Sequence, residues 1–396
     1  MDYLLLVLGL ILLIAGADGL VKGAARLAVK VGIPSLVIGL TVVAFGTSAP
    51  ELAVSINSAV SNKTELAIAN VVGSNIFNVL FILGLAAVIT PLTISKQLIR
   101  QDVPIMILLS ALVFYMATDG RLSFWDCGVL VVLLVAYTAF LFVQGKRTES
   151  ETSEIGDDEV ASLTQGQHPV WQSVLWLVIG LILLITGANL LVSSAVNIAR
   201  TFGVSEAIIG LTILAIGTSL PEVVTSIVAS FKGQRDIAVG NVVGSNTFNL
   251  LAVLGISGLF SGEGLVGNTQ LVEQDFPIMV GVALLCLPLM FTGAALSRLE
   301  GLLFFGLYLL YSAFLIGDVI GAAWLPTLSM VTWNVVFPVI LSVIAISLIR
   351  DWMRCQPLRR ALCAMSNTLN LLGKCLSTTS LVLFDCYPQS EFSSTS

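Results

Sequence analysis

Long, continuous apolar stretches separated by short polar connections dominate the chain. About twenty apolar residues cross a membrane as an α-helix, whereas barrel strands would show alternating apolar and polar positions. The stretches predict eleven membrane helices, near residues 3–21, 35–60, 66–90, 104–118, 124–143, 172–192, 207–230, 237–260, 277–292, 299–317 and 330–349. The pattern is therefore typical of an all-α polytopic membrane protein.

The first ten predicted helices form two halves with a shared pattern. The phrase at 41–51, which ends in Gly-Thr-Ser-Ala-Pro-Glu, recurs with four changes 171 positions later at 212–222, where it ends in Gly-Thr-Ser-Leu-Pro-Glu. A second phrase, Asn-Val-Val-Gly-Ser-Asn-Ile-Phe-Asn at 70–78, recurs at the same offset at 241–249 with one change. Because each half holds five helices, an odd number, the second half enters the membrane from the opposite side. The sequence predicts two inverted five-helix repeats, an architecture common among secondary transporters.

The pattern divides the chain into five segments. The segments are a first five-helix repeat at 1–143, an acidic linker loop at 144–171, a second repeat at 172–317, an extra membrane helix within 318–351 and a tail at 352–396. The linker is hydrophilic and holds six acidic residues, Glu149, Glu151, Glu154, Asp157, Asp158 and Glu159. The tail is rich in Ser, Thr and Cys and shows no repeat pattern, so we expect it to be disordered.

Composition and charge refine this picture. Hydrophobic residues make up 57% of the chain and charged residues only 11%, which excludes an ordinary soluble domain. With the N-terminus outside, ten Lys and Arg residues fall in the predicted inner loops and three in the outer loops, as the positive-inside rule requires. We therefore expect a multi-pass protein of the cell (inner) membrane, with its linker loop in the cytoplasm.

Each copy of the first phrase places a carboxylate, Glu51 or Glu222, within a membrane helix that glycine and proline should break. A carboxylate in the bilayer is costly, and its duplication calls for a functional role. Carbonyl, hydroxyl and carboxylate oxygens suit hard cations such as Ca²⁺ and Na⁺. The alternative is a capping box at each helix start, formed by Ser48 with Glu51 and by Ser219 with Glu222. Such capping is also one way to position a carboxylate in an ion site.

The second phrase supplies neutral ligands. Ser74 and Asn78 lie four residues apart, hence on one helix face, and Ser245 and Asn249 repeat this spacing. The alternative role is helix packing through interhelical hydrogen bonds, and both roles can hold at once.

Other acids in the predicted spans have simpler interpretations. Asp102 and Asp275 each precede a proline by two residues and are predicted to be N-caps. Asp126 and Glu300 lie near helix beginnings, where an acid complements the helix dipole. Asp18 has two alternative interpretations, a secondary ion site or an interfacial cap.

The paired phrases resemble the calcium/cation antiporter family, and in particular its prokaryotic sodium/calcium exchangers, over about residues 3–317. The resemblance implies that Glu51 and Glu222 coordinate Ca²⁺ or Na⁺ at the centre of two antiparallel halves. It also implies neutral ligands: Thr47 and Thr218 at a calcium position, Ser48, Ser74, Ser219 and Ser245 at flanking sodium positions, Asn78 and Asn249 in the middle, and backbone carbonyls near Ala44 and Ala215.

One departure from the family pattern changes the expected charge. Well-studied members often carry an aspartate at the end of one Gly-Ser-Asn-x-Phe phrase, whereas this chain has Asn78 and Asn249. The predicted site therefore holds two carboxylates, which balance one Ca²⁺ or two Na⁺.

The leading hypothesis is Na⁺/Ca²⁺ exchange by alternating access. Ca²⁺/H⁺ exchange or K⁺-dependent Ca²⁺ exchange on the same scaffold is the alternative, followed by a passive cation channel. An intramembrane hydrolase finds little support, because the predicted spans hold no histidine and the chain has no His-Glu-x-x-His motif. We expect Ca²⁺, Na⁺ and the lipid bilayer as partners, with no enzymatic activity, cofactor, nucleic acid or obligatory protein partner.

Overall fold

A computed structural model describes residues 2–152, 169–202, 215–291, 294–342 and 345, which are almost all helical. Within these residues nine helices are long and apolar enough to cross a membrane, and the second span is a pair of helices bent by 45°. In chain order these spans are Asp2–Val31, Ser35–Thr47 with Ala49–Val60, Thr64–Ile89, Leu98–Asp119, Phe124–Gly145, Val170–Thr201, Arg235–Ser261, Leu271–Phe291, Arg298–Asp318 and Leu325–Ser342. Between Val170–Thr201 and Arg235–Ser261 lies a shorter apolar helix, Leu220–Phe231, which is the described part of the seventh predicted span. The predicted all-α membrane architecture is confirmed.

Some predicted segments lie partly or wholly outside the described residues. These are 207–214 of the seventh span, 153–168 of the linker, 343–344 and 346–349 of the eleventh helix, and the tail from 352 onwards. The eleventh helix begins at Leu325 rather than near 330, and none of its described length is buried against the rest of the protein.

The first and sixth helices are longer than predicted, ending at Val31 and Thr201. Hydropathy marks the thickness of the apolar layer, while the helix itself continues beyond it. In the first helix Lys22, Arg26 and Lys30 recur at four-residue intervals on one face. Several of the residues between them are small and buried, namely Ala24, Ala25 and Ala28.

These two helices pack against each other through facing glycines. A Cβ atom added at Gly16 would lie 2.7 Å from the carbonyl oxygen of Gly180, and one at Gly180 would lie 2.7 Å from that of Gly16. Gly9 and Gly187 face each other in the same way, at 2.8 and 2.7 Å. Small residues allow this approach of two backbones, which makes the first and sixth helices a closely joined pair.

Two short antiparallel ladders connect the halves, and the sequence did not predict them. Strand β1 (Leu92–Thr93) pairs with β4 (Ala295–Leu296), and β2 (Arg121–Ser123) pairs with β3 (Gly264–Val266). Each ladder joins a loop of one half to a loop of the other, so both loops must lie on the same side of the membrane. Even numbers of spans separate the paired loops, in agreement with antiparallel halves.

The N-cap prediction for Asp102 and Asp275 is wrong. Each aspartate is the last residue of a π-helical turn, Leu98–Asp102 or Leu271–Asp275, so the helix has already begun before it. Asp102 makes no capping hydrogen bond and is fully buried, accepting from the side chains of Gln97 at 3.2 Å and Gln101 at 3.3 Å. Asp275 accepts from the Tyr311 hydroxyl at 3.2 Å.

Asp126 and Glu300 do lie in the first turns of their helices, as predicted. Asp126 accepts the Ser123 backbone N–H at 2.9 Å, and Glu300 forms a capping box with Ser297.

Asp18 forms an ion pair with Lys22 at 2.6 Å and a second one with Lys232. It therefore links the first helix to the end of the seventh. Among the described residues, no group of three acidic, histidine or cysteine side chains includes Asp18.

Candidate ion-binding site

The second and seventh spans are interrupted at equivalent places. In the second span the helix is broken at Ser48, whose backbone has φ −81° and ψ 5°, and Pro50 begins the next helical segment. In the seventh span Ser219 adopts nearly the same conformation, φ −89° and ψ 7°, just before Pro221. These angles lie in the sparsely populated bridge region. The breaks occur where the glycine and proline spacing predicts them.

The two glutamates that follow these breaks are fully buried and are held by the opposite half. The Ser219 hydroxyl donates to Oε1 of Glu51 at 2.8 Å, and the Ser48 hydroxyl donates to Oε1 of Glu222 at 3.1 Å. Neither serine caps a backbone N–H of its own helix. The capping-box interpretation is therefore wrong, because each serine bonds to the glutamate of the other repeat.

Several buried oxygens of this region have no hydrogen-bond partner. They are Oε2 of Glu51 and Glu222, Oγ1 of Thr218 and Oδ1 of Asn78 and Asn249. Leaving a buried polar atom unsatisfied costs about 1–3 kcal/mol, and more if it is charged. All five can act as electron-pair donors to a cation, and they come from both halves of the chain.

The predicted hydroxyl ligands join these oxygens across the repeat boundary. Ser219 Oγ lies 3.2 Å from Ser74 Oγ, and Thr47 Oγ1 lies 3.4 Å from Ser245 Oγ. Both contacts link the break of one half to the second phrase of the other half.

The backbone carbonyls that were expected as ligands, near Ala44 and Ala215, differ in the hydrogen bonds made around them. Ala44 O already accepts the Ser48 backbone N–H at 3.0 Å and the Thr47 hydroxyl at 3.3 Å. The corresponding bond in the second half runs from Ser219 N–H to Ile216 O at 3.1 Å. Ala215 is the first described residue of its segment and begins a short helical turn.

Four asparagines form a ring of amides between the third and eighth helices. Asn78 Nδ2 donates to Asn246 Oδ1 at 3.0 Å, and Asn249 Nδ2 donates to Asn75 Oδ1 at 3.1 Å. The Asn75 and Asn246 amides also donate to each other's backbone carbonyls, at 3.4 and 3.3 Å. This network fixes the amides of Asn78 and Asn249 so that their unpartnered Oδ1 atoms remain free to accept. The sequence analysis missed Asn75 and Asn246, although both belong to the repeated Gly-Ser-Asn phrase.

Asn70 and Asn241, which open the second phrase in each half, were also missed. Asn70 donates to the Glu51 carbonyl at 3.2 Å and to Ser55 Oγ at 3.0 Å. Asn241 makes the equivalent bonds, to the Glu222 carbonyl at 3.5 Å and to Ser226 at 3.0 Å. Each asparagine therefore positions the helical turn that carries a glutamate.

The candidate site contains few charged groups. Among the salt bridges seen in the described part of the chain, none involves Glu51 or Glu222. Nor do three acidic, histidine or cysteine side chains come together anywhere in that part. The arrangement is two carboxylates surrounded by neutral oxygen ligands, which suits hard cations and not soft transition metals.

Comparison with known proteins identifies related chains. The family model described as "Sodium/calcium exchanger protein" matches residues 1–143 and 172–317. The putative antiporter CaxA of Alkalimonas amylolytica is 36% identical over 316 residues, which cover 77% of this chain and 97% of that protein. Inner membrane protein YrbG of Escherichia coli (strain K12) is 39% identical over 288 residues, covering 71% and 87%.

A solved structure of the sodium-calcium exchanger NCX_Mj, soaked with Na⁺ and Ca²⁺, has a similar fold. Its TM-score to this chain is 0.68 at 31% sequence identity, and the similarity covers 79% of this chain and 97% of that one. The similarity in fold thus extends over nearly all of that exchanger.

Proposed function

The chain belongs to the sodium/calcium exchanger family of cation antiporters, and on this basis we propose that it exchanges Na⁺ for Ca²⁺ by alternating access. The exchange takes place at one central site built around Glu51 and Glu222. The crossed serine–glutamate hydrogen bonds carry this proposal, because they bring both carboxylates into one buried region and leave one oxygen of each without a partner.

Ca²⁺ and Na⁺ compete for this site because both would use the same carboxylate oxygens. The proposed ligands besides the glutamates are Thr47 and Thr218 for calcium, Ser48, Ser74, Ser219 and Ser245 for flanking sodium, Asn78 and Asn249 in the middle, and the carbonyls of Ala44 and Ala215. The unpartnered oxygens of Thr218, Asn78 and Asn249 support this assignment.

Full burial of both glutamates corresponds to a site closed to either side. A buried pair of bare carboxylates is costly, whereas a cation-loaded site is close to neutral and can be reoriented. Movement of the first and sixth helices relative to the rest would open the site, and their close glycine packing lets them move as one pair.

The protein is a multi-pass membrane protein, and we propose that it resides in the cell (inner) membrane with its N-terminus outside and its linker loop in the cytoplasm. The excess of basic residues in the inner loops supports this orientation. The name of the relative YrbG, an inner membrane protein, supports the location.

The direct test is uptake of ⁴⁵Ca²⁺ into proteoliposomes loaded with Na⁺ and diluted into sodium-free buffer. We expect uptake that disappears when the internal Na⁺ is replaced by choline and persists when a protonophore collapses the pH gradient. Uptake driven by a pH gradient without Na⁺ would instead indicate Ca²⁺/H⁺ exchange. Uptake that needs K⁺ together with Na⁺ would indicate K⁺-dependent exchange.

Removing one of the crossed serine donors should weaken cation binding without abolishing it. Ser219→Ala removes the hydroxyl that donates to Glu51, and Ser48→Ala removes the one that donates to Glu222. A hydrogen bond to a charged group contributes about 1.5–3 kcal/mol, so we expect the half-saturating Ca²⁺ concentration to rise about tenfold or more. The measurement is the Ca²⁺ dependence of initial uptake rates.

Ser61→Ala is the matched control for the serine variants, because Ser61 is exposed at the end of the same broken helix. It should bind and transport like the wild type. Unchanged Ca²⁺ affinity in both crossed-serine variants would contradict the proposed role of these hydrogen bonds.

A further inference from the structure

An ion pair joins the first helix, which belongs to the pair of helices that moves in the proposed mechanism, to the end of the seventh span. Asp18 pairs with Lys232, and the Lys232 ammonium group also donates to the Asp18 backbone carbonyl at 3.3 Å. Lys232 directly follows the last residue of the helix Leu220–Phe231, which lies outside the moving pair. The contact therefore crosses the boundary between the two parts of the protein that move relative to each other.

This ion pair is present while both central glutamates are fully buried. In the proposed orientation, Asp18 lies near the cytoplasmic end of the first helix and Lys232 lies in an inner loop. We propose that the pair of Asp18 and Lys232 is a latch, a contact that holds the site closed to the cytoplasm. The inference rests on the proposed function and orientation, and it adds a residue pair that favours one direction of opening.

The inverted repeat has no equivalent ion pair on the outer side. The residues 171 positions away from Asp18 and Lys232 are Asn189 and Ser61, and neither carries a charge. Both are exposed, and Asn189 lines a cavity of about 300 Å³ at the outer ends of the first and sixth helices. Because the ion pair occurs only on the inner side of these equivalent positions, it makes the two closures of the site unequal.

The two strand ladders do not take part in this contact. Their strands lie in loops next to the third, fourth, fifth, eighth, ninth and tenth spans, so they join helices outside the moving pair. The first helix can therefore move while the ladders stay intact. A contact between Asp18 and Lys232, in contrast, has to lengthen or break when the first helix moves relative to the seventh span.

The exposure of the latch limits its strength. The side chains of Asp18 and Lys232 are 38% and 28% exposed, and Lys22 pairs with the same carboxylate from within the first helix. An ion pair of this kind changes an equilibrium about two- to fivefold. Loss of the latch raises the fraction of protein that is open to the cytoplasm, so Ca²⁺ should bind more tightly from the cytoplasmic side and more weakly from outside.

The test compares the half-saturating Ca²⁺ concentration at the two faces of the protein. Uptake of ⁴⁵Ca²⁺ is measured in inside-out and in right-side-out membrane vesicles loaded with Na⁺, and uptake by vesicles without the protein is subtracted. The double variant Asp18→Asn with Lys232→Ser gives the inner side the residues that the outer side carries. We expect the ratio of the cytoplasmic to the external half-saturating concentration to fall about two- to fivefold. Each single variant should give nearly the whole effect, because either one breaks the pair.

Lys22→Ser is the matched control, since Lys22 pairs with the same carboxylate but lies in the same helix, so that its ion pair does not cross the boundary. This variant should keep the ratio of the wild type. An unchanged or increased ratio in the double variant, or a shift of equal size in Lys22→Ser, would overturn the latch.

Failure of the latch and failure of the proposed function give different results. Absence of sodium-driven uptake by the wild type in both kinds of vesicle would refute Na⁺/Ca²⁺ exchange, together with the latch that rests on it. Sodium-driven uptake with the same ratio in the wild type and the double variant would leave exchange intact and refute only the latch.

Discussion

We expect sodium-driven calcium uptake to fall at least about a hundredfold when Glu51 or Glu222 is replaced by glutamine, a loss of about 2.7 kcal/mol or more. Glutamine keeps the shape of the side chain but removes half of the negative charge of the site. It also replaces the carboxylate, which has two oxygens, one of them without a hydrogen-bond partner, by an amide, which has only one oxygen. The equivalent positions of the two glutamates in the inverted halves predict losses of similar size for both variants.

Uptake of ⁴⁵Ca²⁺ and retention on size-exclusion chromatography should be measured together, so that loss of transport is separated from loss of folding. Glu263→Gln is the matched control, because Glu263 lies exposed in a connecting segment. It should transport at the rate of the wild type. Wild-type uptake in either site variant, or a severe loss in only one of them, would contradict a single central site shared by both halves.

The sequence predicted the positions of the two buried glutamates better than their hydrogen bonds. The duplicated glutamates and the Gly…Pro breaks are local signals, and the structure places both where the repeat predicts them. The capping-box rule failed because it considers only residues three positions apart. The actual partner of Ser48 is Glu222, 174 positions away, and such a contact arises only when the two halves pack together.

The π-helical turns near the glutamates are a second feature that the sequence did not predict. One begins at Asn78 and another at Asn249, so each helix widens directly at a predicted ligand. Such turns often occur at functional sites, but no residue pattern distinguishes them from an ordinary helix. The same holds for Asn75 and Asn246, whose side chains bond across the halves rather than within their own helices.

The positions of the glycines indicate where two helices pack closely, which a hydropathy profile does not show. Gly9 and Gly16 in the first helix face Gly187 and Gly180 in the sixth, which reflects the antiparallel packing of the repeats. A hydropathy profile treats these positions as weakly apolar and assigns them no role. In the structure they determine how closely the two helices approach, and therefore whether the helices can move as one pair.

A methyl group at this interface should be among the most damaging small changes in the protein. In Gly180→Ala the added Cβ would lie 2.5 Å from the backbone nitrogen of Leu20 and 2.7 Å from the Gly16 carbonyl oxygen. Both atoms belong to backbone, so the helices must separate. Overpacking of this kind costs about 3 kcal/mol, and we expect a lower midpoint of thermal unfolding in detergent together with strongly reduced uptake.

Gly306→Ala is the matched control for this variant, because a Cβ there meets no atom within 4 Å. Alanine favours a helix over glycine by up to about 1 kcal/mol, so this variant should be as stable as the wild type or slightly more stable. Gly16→Ala should reproduce the defect of Gly180→Ala, and the double variant should lose less stability than the sum, since one separation of the helices accommodates both methyl groups. Full stability and wild-type uptake in Gly180→Ala would show that the first and sixth helices are not held together by this contact.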